Sequence, residues 1–143
     1  MTDRRLAVAT WESMFRAQHQ IFSQISCDFD DETLSQAEYD VLLTVPRSPQ
    51  LTARLRDVTA NMLISQPSVS RLVERMVARG LLSKCADPDD GRGALVRATD
   101  EGASRFRAIA TAHARSIAEK MTSLDDDELA ELQRLTDKLR SGA

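Results

Sequence analysis

Ser65, Gln66, Ser68, Arg71 and Arg75 stand together in one short stretch, SQPSVSRLVERMVARGLL, at residues 65–82. They are hydrogen-bonding side chains with no catalytic base placed beside them. Gln can bracket the edge of an adenine and Arg that of a guanine, while Ser reaches a base or a phosphate. On a helix, Ser65, Gln66 and Ser68 would lie at the N-terminal end, where free backbone N–H groups and the macrodipole attract an anion. The chemistry on offer is recognition of a nucleic acid duplex. A solvated surface helix with a Ser cap and scattered arginines would carry the same residues, so the elements around the stretch must decide.

Val69, Leu72, Val73, Met76 and Val77 recur at spacings of three and four and form an apolar stripe, with Ser68, Arg71, Arg75 and Arg79 on the adjacent face. Gly80 is placed to close this helix as its C′ residue. Upstream, LRDVTANML predicts a short helix with Val58, Met62 and Leu63 inward, after a short strand within residues 51–55. Downstream, LLSKCA and ALVRAT predict two strands around the turn DPDDGRG, which is rich in Pro and Gly. Two helices followed by a hairpin make a winged helix-turn-helix, whose second helix meets base edges in the major groove.

Around this module, LSQAEYDVLLTV predicts a helix capped by Ser35, with Glu38 completing a capping box and Pro46 and Pro49 stopping it. Val8, Trp11, Phe15, Phe22, Ile25 and Phe29 mark a long N-terminal amphipathic helix over residues 6–29. Thr99 and Glu101 begin a fifth helix running towards Met121, with Phe106, Ala110, His113 and Ile117 on one side. Ser123 and the acids Asp125–Glu128 open a sixth, striped by Leu129, Leu132, Leu135 and Leu139. Long apolar seams have no obvious partner in so small a module, and a second chain would bury them. The expected fold is mainly α, a winged helix-turn-helix with a small β-hairpin wing and long N- and C-terminal dimerisation helices. Its expected parts are a dimerisation helix over 1–34, the DNA-binding module over 35–100 and C-terminal dimerisation helices over 101–143, all in one structural domain.

The net charge of the 143 residues is −3, which taken alone argues against a nucleic acid partner. Between Arg54 and Arg97, however, eight bases face five acids, so that segment is near +3 and the remainder near −6. Local charge decides whether a face can meet phosphates. No apolar run reaches membrane-span length, and Trp11, Glu12 and Arg16 interrupt any reading of the N-terminus as a signal or anchor. Two cysteines are too few for a disulfide scaffold, and a reducing, cytoplasmic setting is expected. No phosphate loop, nucleophile elbow or metal-protease motif appears, so neither an enzyme nor a cofactor is expected.

LISQPSVSRLVERMVARGLLSK followed by DPDDGRGALVRATDEG resembles the MarR-type (multiple antibiotic resistance) family of bacterial regulators, over nearly the whole chain. Asp90, Arg92, Thr99 and Gly102 match its wing pattern, Asp-x-Arg before a strand and a Thr-x-x-Gly helix start. The resemblance implies a homodimer on a pseudo-palindromic DNA operator, released by a small aromatic compound or by cysteine oxidation. It implies that Gln66, Ser68, Ser70, Arg71 and Arg75 contact the major groove or phosphates. Arg92 would enter the minor groove, held by Asp90, and Arg54 and Arg56 would meet the backbone. A ligand cleft between the flanking helices and the winged module would be lined by Trp11, Phe15, His19 and Tyr39, although core packing explains Trp11 and Phe15 as well. Gly91 and Cys85 stand where many relatives carry a base, and Ala98 replaces the usual Leu.

The expected function is a DNA-binding transcriptional regulator, a homodimeric repressor released by a small aromatic effector. Two alternatives remain open: a winged-helix protein-interaction module, favoured by the overall acidity, and a redox regulator acting through Cys27 or Cys85. Acids around Cys27 disfavour its thiolate, and Cys85 has only Lys84 as a basic sequence neighbour. His19 and His113 lack metal-ligand spacing, and no metal site is expected.

Overall fold

Ser35 and Glu38 close the capping box that their spacing spells. The Ser35 hydroxyl accepts from the Glu38 N–H at 3.2 Å and the Glu38 carboxylate from the Ser35 N–H at 2.9 Å. The computed structural model describes residues 2–30, 32–45, 52–63 and 68–142. Its elements are α1 (Arg4–Ile25), α2 (Gln36–Thr44), β1 (Ala53–Arg54), α3 (Leu55–Asn61), α4 (Val69–Ala78), β2 (Leu82–Asp87), β3 (Asp90–Ala98), α5 (Asp100–Lys120) and α6 (Asp126–Ser141). They fall into two compact units, residues 26–112 and residues 1–25 with 113–143.

The first unit is the winged helix-turn-helix. Its sheet has the order β1-β3-β2, antiparallel throughout, with Ala53 opposite Val96 and Leu82 opposite Ala98. Leu34, Val41, Leu42, Val58, Val73, Met76, Leu81 and Val96 are fully buried, and Phe106 and Ile109 from the start of α5 join the same core. Each such Leu, Val or Met contributes roughly 1.5–3 kcal/mol by leaving water. This is the apolar stripe of α4 put to use, with Val69, Leu72, Val73 and Met76 facing α2 and the sheet.

Three local expectations are corrected. Leu63 is not inward but 78% exposed; its N–H donates to the buried Asp40 carboxylate at 2.8 Å, which fixes the backbone and turns the side chain out. The wing turn is two residues, Pro88–Asp89, not seven, because β3 pairs as far as Asp90 opposite Asp87, after a register irregularity at Ala86/Asp87. The first helix ends at Ile25 in a 3-10 turn over Ser26–Asp28, and Phe29 packs against the core of the winged unit. Pro46, Pro49 and Leu51 lie outside the described residues.

The end of α4 is built by a Schellman motif. The Leu81 N–H reaches the Met76 carbonyl at 2.9 Å and the Gly80 N–H the Val77 carbonyl at 3.0 Å, with Gly80 at φ 75°. Thr99 joins this corner to α5. Its hydroxyl donates to the Gly80 carbonyl at 2.6 Å and accepts from the Gly102 N–H at 3.0 Å, while its own N–H donates to the Leu81 carbonyl. A Cβ on residue 102 would stand 2.1 Å from the Leu81 carbonyl oxygen, so only glycine fits. The Thr-x-x-Gly pattern is therefore the device that fixes the wing strands against the end of α4.

The second unit comprises α1, the later part of α5 and α6. Asp125 caps α6 with Glu128 in a second capping box. Ile25 is its one buried large apolar residue among those described, and Leu6, Val8, Trp11, Phe15, Ile117, Leu132, Leu135 and Leu139 are exposed. An apolar groove of about 820 Å³ runs along it, lined by Met14, Ile21, Phe22, Ile25, Met121 and Leu129 among others.

Candidate nucleic-acid interface

Helix α4 presents Ser70, Arg71, Glu74 and Arg75 outward, opposite its buried stripe. Ser68 is the N-cap of this helix, its hydroxyl oxygen accepting from the Arg71 N–H at 3.2 Å. The cap leaves the Ser68 hydroxyl proton available to an external acceptor. Ser65 and Gln66 lie outside the described residues.

Beside α4 the wing is shaped by two aspartates. Asp87, with its side chain 4% exposed, accepts from the Asp89 N–H at 2.9 Å and is ion-paired with Arg54 Nε at 3.3 Å. Asp90 Oδ1 accepts from the backbone N–H of Arg92 at 3.1 Å. It thus holds the Arg92 backbone and leaves the guanidinium exposed to solvent. Gly93 packs on this aspartate; a Cβ there would stand 3.1 Å from Asp90 Oδ2. Between α3, α4 and the wing lies a groove of about 390 Å³, lined by Arg54, Arg56, Ser70, Lys84, Asp87, Asp90 and Arg92 among others.

The cations of α4 and of this groove sort into two groups. Arg54 is tied to Asp87 and, at 3.9 Å, to Asp89. Arg79, expected on the polar face with Arg71, instead binds both carboxylate oxygens of Glu38 and the Glu32 carbonyl. The Glu32 carbonyl also accepts from Arg105, so these two arginines clamp the turn before α2. Lys84 is ion-paired with Glu74. For Arg56, Arg71, Arg75 and Arg92, no acidic partner is seen among the described residues. These four can meet phosphates or bases, and they lie on α3, the outer face of α4 and the wing.

The expected ligand residues divide between the units. Trp11, Phe15 and His19 form a ladder along α1, with ring centroids 5.9 Å and 6.4 Å apart, and Trp11 is 61% exposed. Tyr39 belongs to the winged unit and is stacked on Phe106 at 4.8 Å and tilted against Phe29 at 5.2 Å. Cys27 and Cys85 are exposed. Among the described residues no group of three His, Cys, Asp or Glu is placed to hold a metal ion, and no helix is long and apolar enough to cross a membrane. The sequence reading missed Asp87, Arg79 and the Glu74–Lys84 pair as organisers of this surface. Their ion-pair partners lie 10 to 41 positions away, and no local pattern announces them.

The MarR family model matches residues 33–93, the segment from the cap of α2 to the wing. The HTH-type transcriptional regulator YhbI of Bacillus subtilis is 22% identical over 143 residues, covering 97% of this chain and 92% of its own. Among solved structures, BpsR of Bordetella bronchiseptica, whose DNA binding is regulated by 6-hydroxynicotinic acid, is 26% identical. That likeness covers 92% of this chain and 98% of BpsR, with a TM-score of 0.76. The MarR-family regulator Sco3205 of Streptomyces coelicolor, solved in complex with DNA, has a TM-score of 0.80 at 19% identity, covering 99% of this chain and 90% of its own.

Proposed function

We propose that this chain is a regulator of the MarR type, a homodimeric repressor whose α4 enters the major groove of a pseudo-palindromic operator. The observation that carries this reading is the sorting of cations. Arg56, Arg71, Arg75 and Arg92 share one side of the winged unit without acidic partners among the described residues. Arg71 and Arg75, with Ser68, Ser70 and the residues Ser65 and Gln66 just ahead of α4, meet bases and adjacent phosphates. Arg56 grips the backbone, and Arg92, on a wing set by Asp90, reads groove width and charge. Arg54 acts through Asp87 as a strut of the wing.

The exposed apolar residues of α1, α5 and α6 support dimerisation through the terminal helices. The aromatic ladder Trp11–Phe15–His19, with Arg16 beside it, suits a planar aromatic acid, the class of compound that regulates BpsR. Binding such a compound in one of two dimer states would release DNA. The chain acts in the cytoplasm.

The test is a set of binding isotherms on the chain's own upstream region at several salt concentrations. Replacing Arg92 with Ala is expected to weaken binding to all sequences alike and to lower the salt slope by about one for each phosphate no longer neutralised. Replacing Arg71 with Ala is expected to relax discrimination at one position in each half-site, by roughly 1–3 kcal/mol. Unchanged affinity in both variants would place the DNA surface elsewhere and favour a protein-interaction module.

A further inference from the structure

Glu74 is an acid in the middle of the face that α4 offers to DNA. It lies between Arg71 and Arg75 in sequence and is exposed with them. Its carboxylate is held by Lys84, which reaches across from β2 at the wall of the groove shared with Arg56 and Arg92. An acid on such a surface is repelled by every phosphate, and in the free protein Lys84 offsets that charge.

We propose that Glu74 is a specificity-determining residue that accepts a hydrogen bond from the exocyclic amino group of a cytosine in each half-site; this rests on the DNA-binding reading above. A carboxylate only accepts, and in the major groove the amino donors are those of cytosine and adenine. Guanine and thymine present acceptors there, which a carboxylate repels. Adenine places its N7 acceptor beside its amino group, whereas cytosine presents the amino group without one. Glu74 therefore penalises duplexes lacking the amino donor. By holding Lys84, it also withholds one cation from indiscriminate phosphate binding. The two partners then have opposite effects on binding to unrelated DNA.

The experiment is selection from a randomised duplex library, followed by salt-titrated isotherms on the enriched duplex and on mixed-sequence genomic duplex. The wild type, Glu74→Gln and Lys84→Gln are compared. For Glu74→Gln the preference for cytosine at one symmetric pair of positions is expected to fall roughly tenfold. Binding to mixed-sequence duplex should tighten severalfold, with a salt slope steeper by about one as Lys84 becomes available. For Lys84→Gln the mixed-sequence affinity is expected to fall while the cytosine preference stays. If the ion pair is only a tether between α4 and β2, both variants shift mixed-sequence affinity in the same direction, and the proposal is overturned. An even loss across all sequences for Glu74→Gln overturns it too. Absence of salt-dependent duplex binding by the wild type is a separate outcome, which would remove the DNA-binding reading and this one with it.

Discussion

The two units use the same kinds of apolar residue for different ends. In the winged unit Leu, Val and Met from α2, α3, α4 and the sheet reach nearly zero exposure, and Glu38, Arg79, Arg54 and Asp87 are paired across long stretches of sequence. In the terminal-helix unit the stripes are equally regular, yet Leu132, Leu135, Leu139, Trp11 and Phe15 remain exposed, and its ion pairs link residues three apart on one helix. Periodicity measures the strength of a stripe but not what covers it. The winged unit completes itself from its own chain, whereas the terminal helices leave their stripes uncovered, as the proposed second copy requires.

The sharpest way to break this contrast is at Gly102. Replacing it with Ala drives a methyl against the Leu81 carbonyl, a backbone atom at the corner held by Thr99 and the Schellman motif, which has little room to yield. Overpacking of this kind costs about 1–3 kcal/mol and sometimes more. Contact with backbone puts Gly102→Ala at or beyond the upper end, with loss of the cooperative transition of the winged unit in denaturant. Gly91→Ala is the control, since nothing lies within 4 Å of its added methyl. A Gly102→Ala protein as stable as the control would show that the corner is soft and that the winged unit is not self-complete.

The same corner shows what the sequence made legible. The capping box at Ser35–Glu38 joins residues three apart, and the α4 stripe repeats within ten residues, so both read directly. Thr99 read directly as the start of α5, but its link to Gly102 was legible only as a pattern borrowed from a family. Their cause, the approach of α5 to the Leu81 carbonyl, depends on tertiary packing. Arg79 shares the spacing of Arg71 and Arg75, yet Glu38, 41 positions earlier, withdraws it from the DNA face. Arg54 is likewise paired with Asp87, 33 positions later, though it keeps its place at the groove. A helical wheel shows which side a residue occupies but not whether an acid from another element stands beside it. That is why the sequence alone could not tell a paired cation from an unpaired one.

A second, smaller effect tests the exposed stripes. If the terminal helices are completed by a second copy, the unfolding midpoint of the full chain rises with protein concentration, because association stabilises the folded form by mass action. Leu132→Ala combined with Leu135→Ala is expected to flatten that dependence and to shift sedimentation towards the monomer. Leu42→Ala, in the self-completed core, is expected to cost roughly 2–5 kcal/mol at every concentration and to leave the dependence in place. A wild type that sediments as a well-folded monomer at micromolar concentration would sink the contrast.

The smallest effect lies on the surface of α6. Arg134 donates Nε to Glu131 Oε2 at 2.9 Å and Nη2 to Oε1 at 2.7 Å, a two-pronged pair in full contact with water. The Arg134 hydrogen bond holds the Glu131 carboxyl below its ordinary value, outweighing a slight opposing desolvation, and the charge of Arg134 adds to the same shift. A carboxylate with a lowered folded-state pKa adds stability above its unfolded value and loses it as pH falls through the folded one. Wild type and Glu131→Gln should therefore differ slightly in melting temperature near neutral pH and converge in acid, below the folded-state value. The neutral-pH difference should also shrink in high salt, because an exposed pair is screened within a Debye length. The buried side of the comparison is Glu38, whose side chain is 6% exposed and is held by Arg79 and the Ser35 N–H. Arg79→Ala leaves that acid without its cation and is expected to cost roughly 1.5–3 kcal/mol, with little response to salt. Melting curves of the two variants at low and high salt make the measurement. Equal losses, or a salt-insensitive loss at Glu131, would mean that α6 is not the open surface its exposure describes.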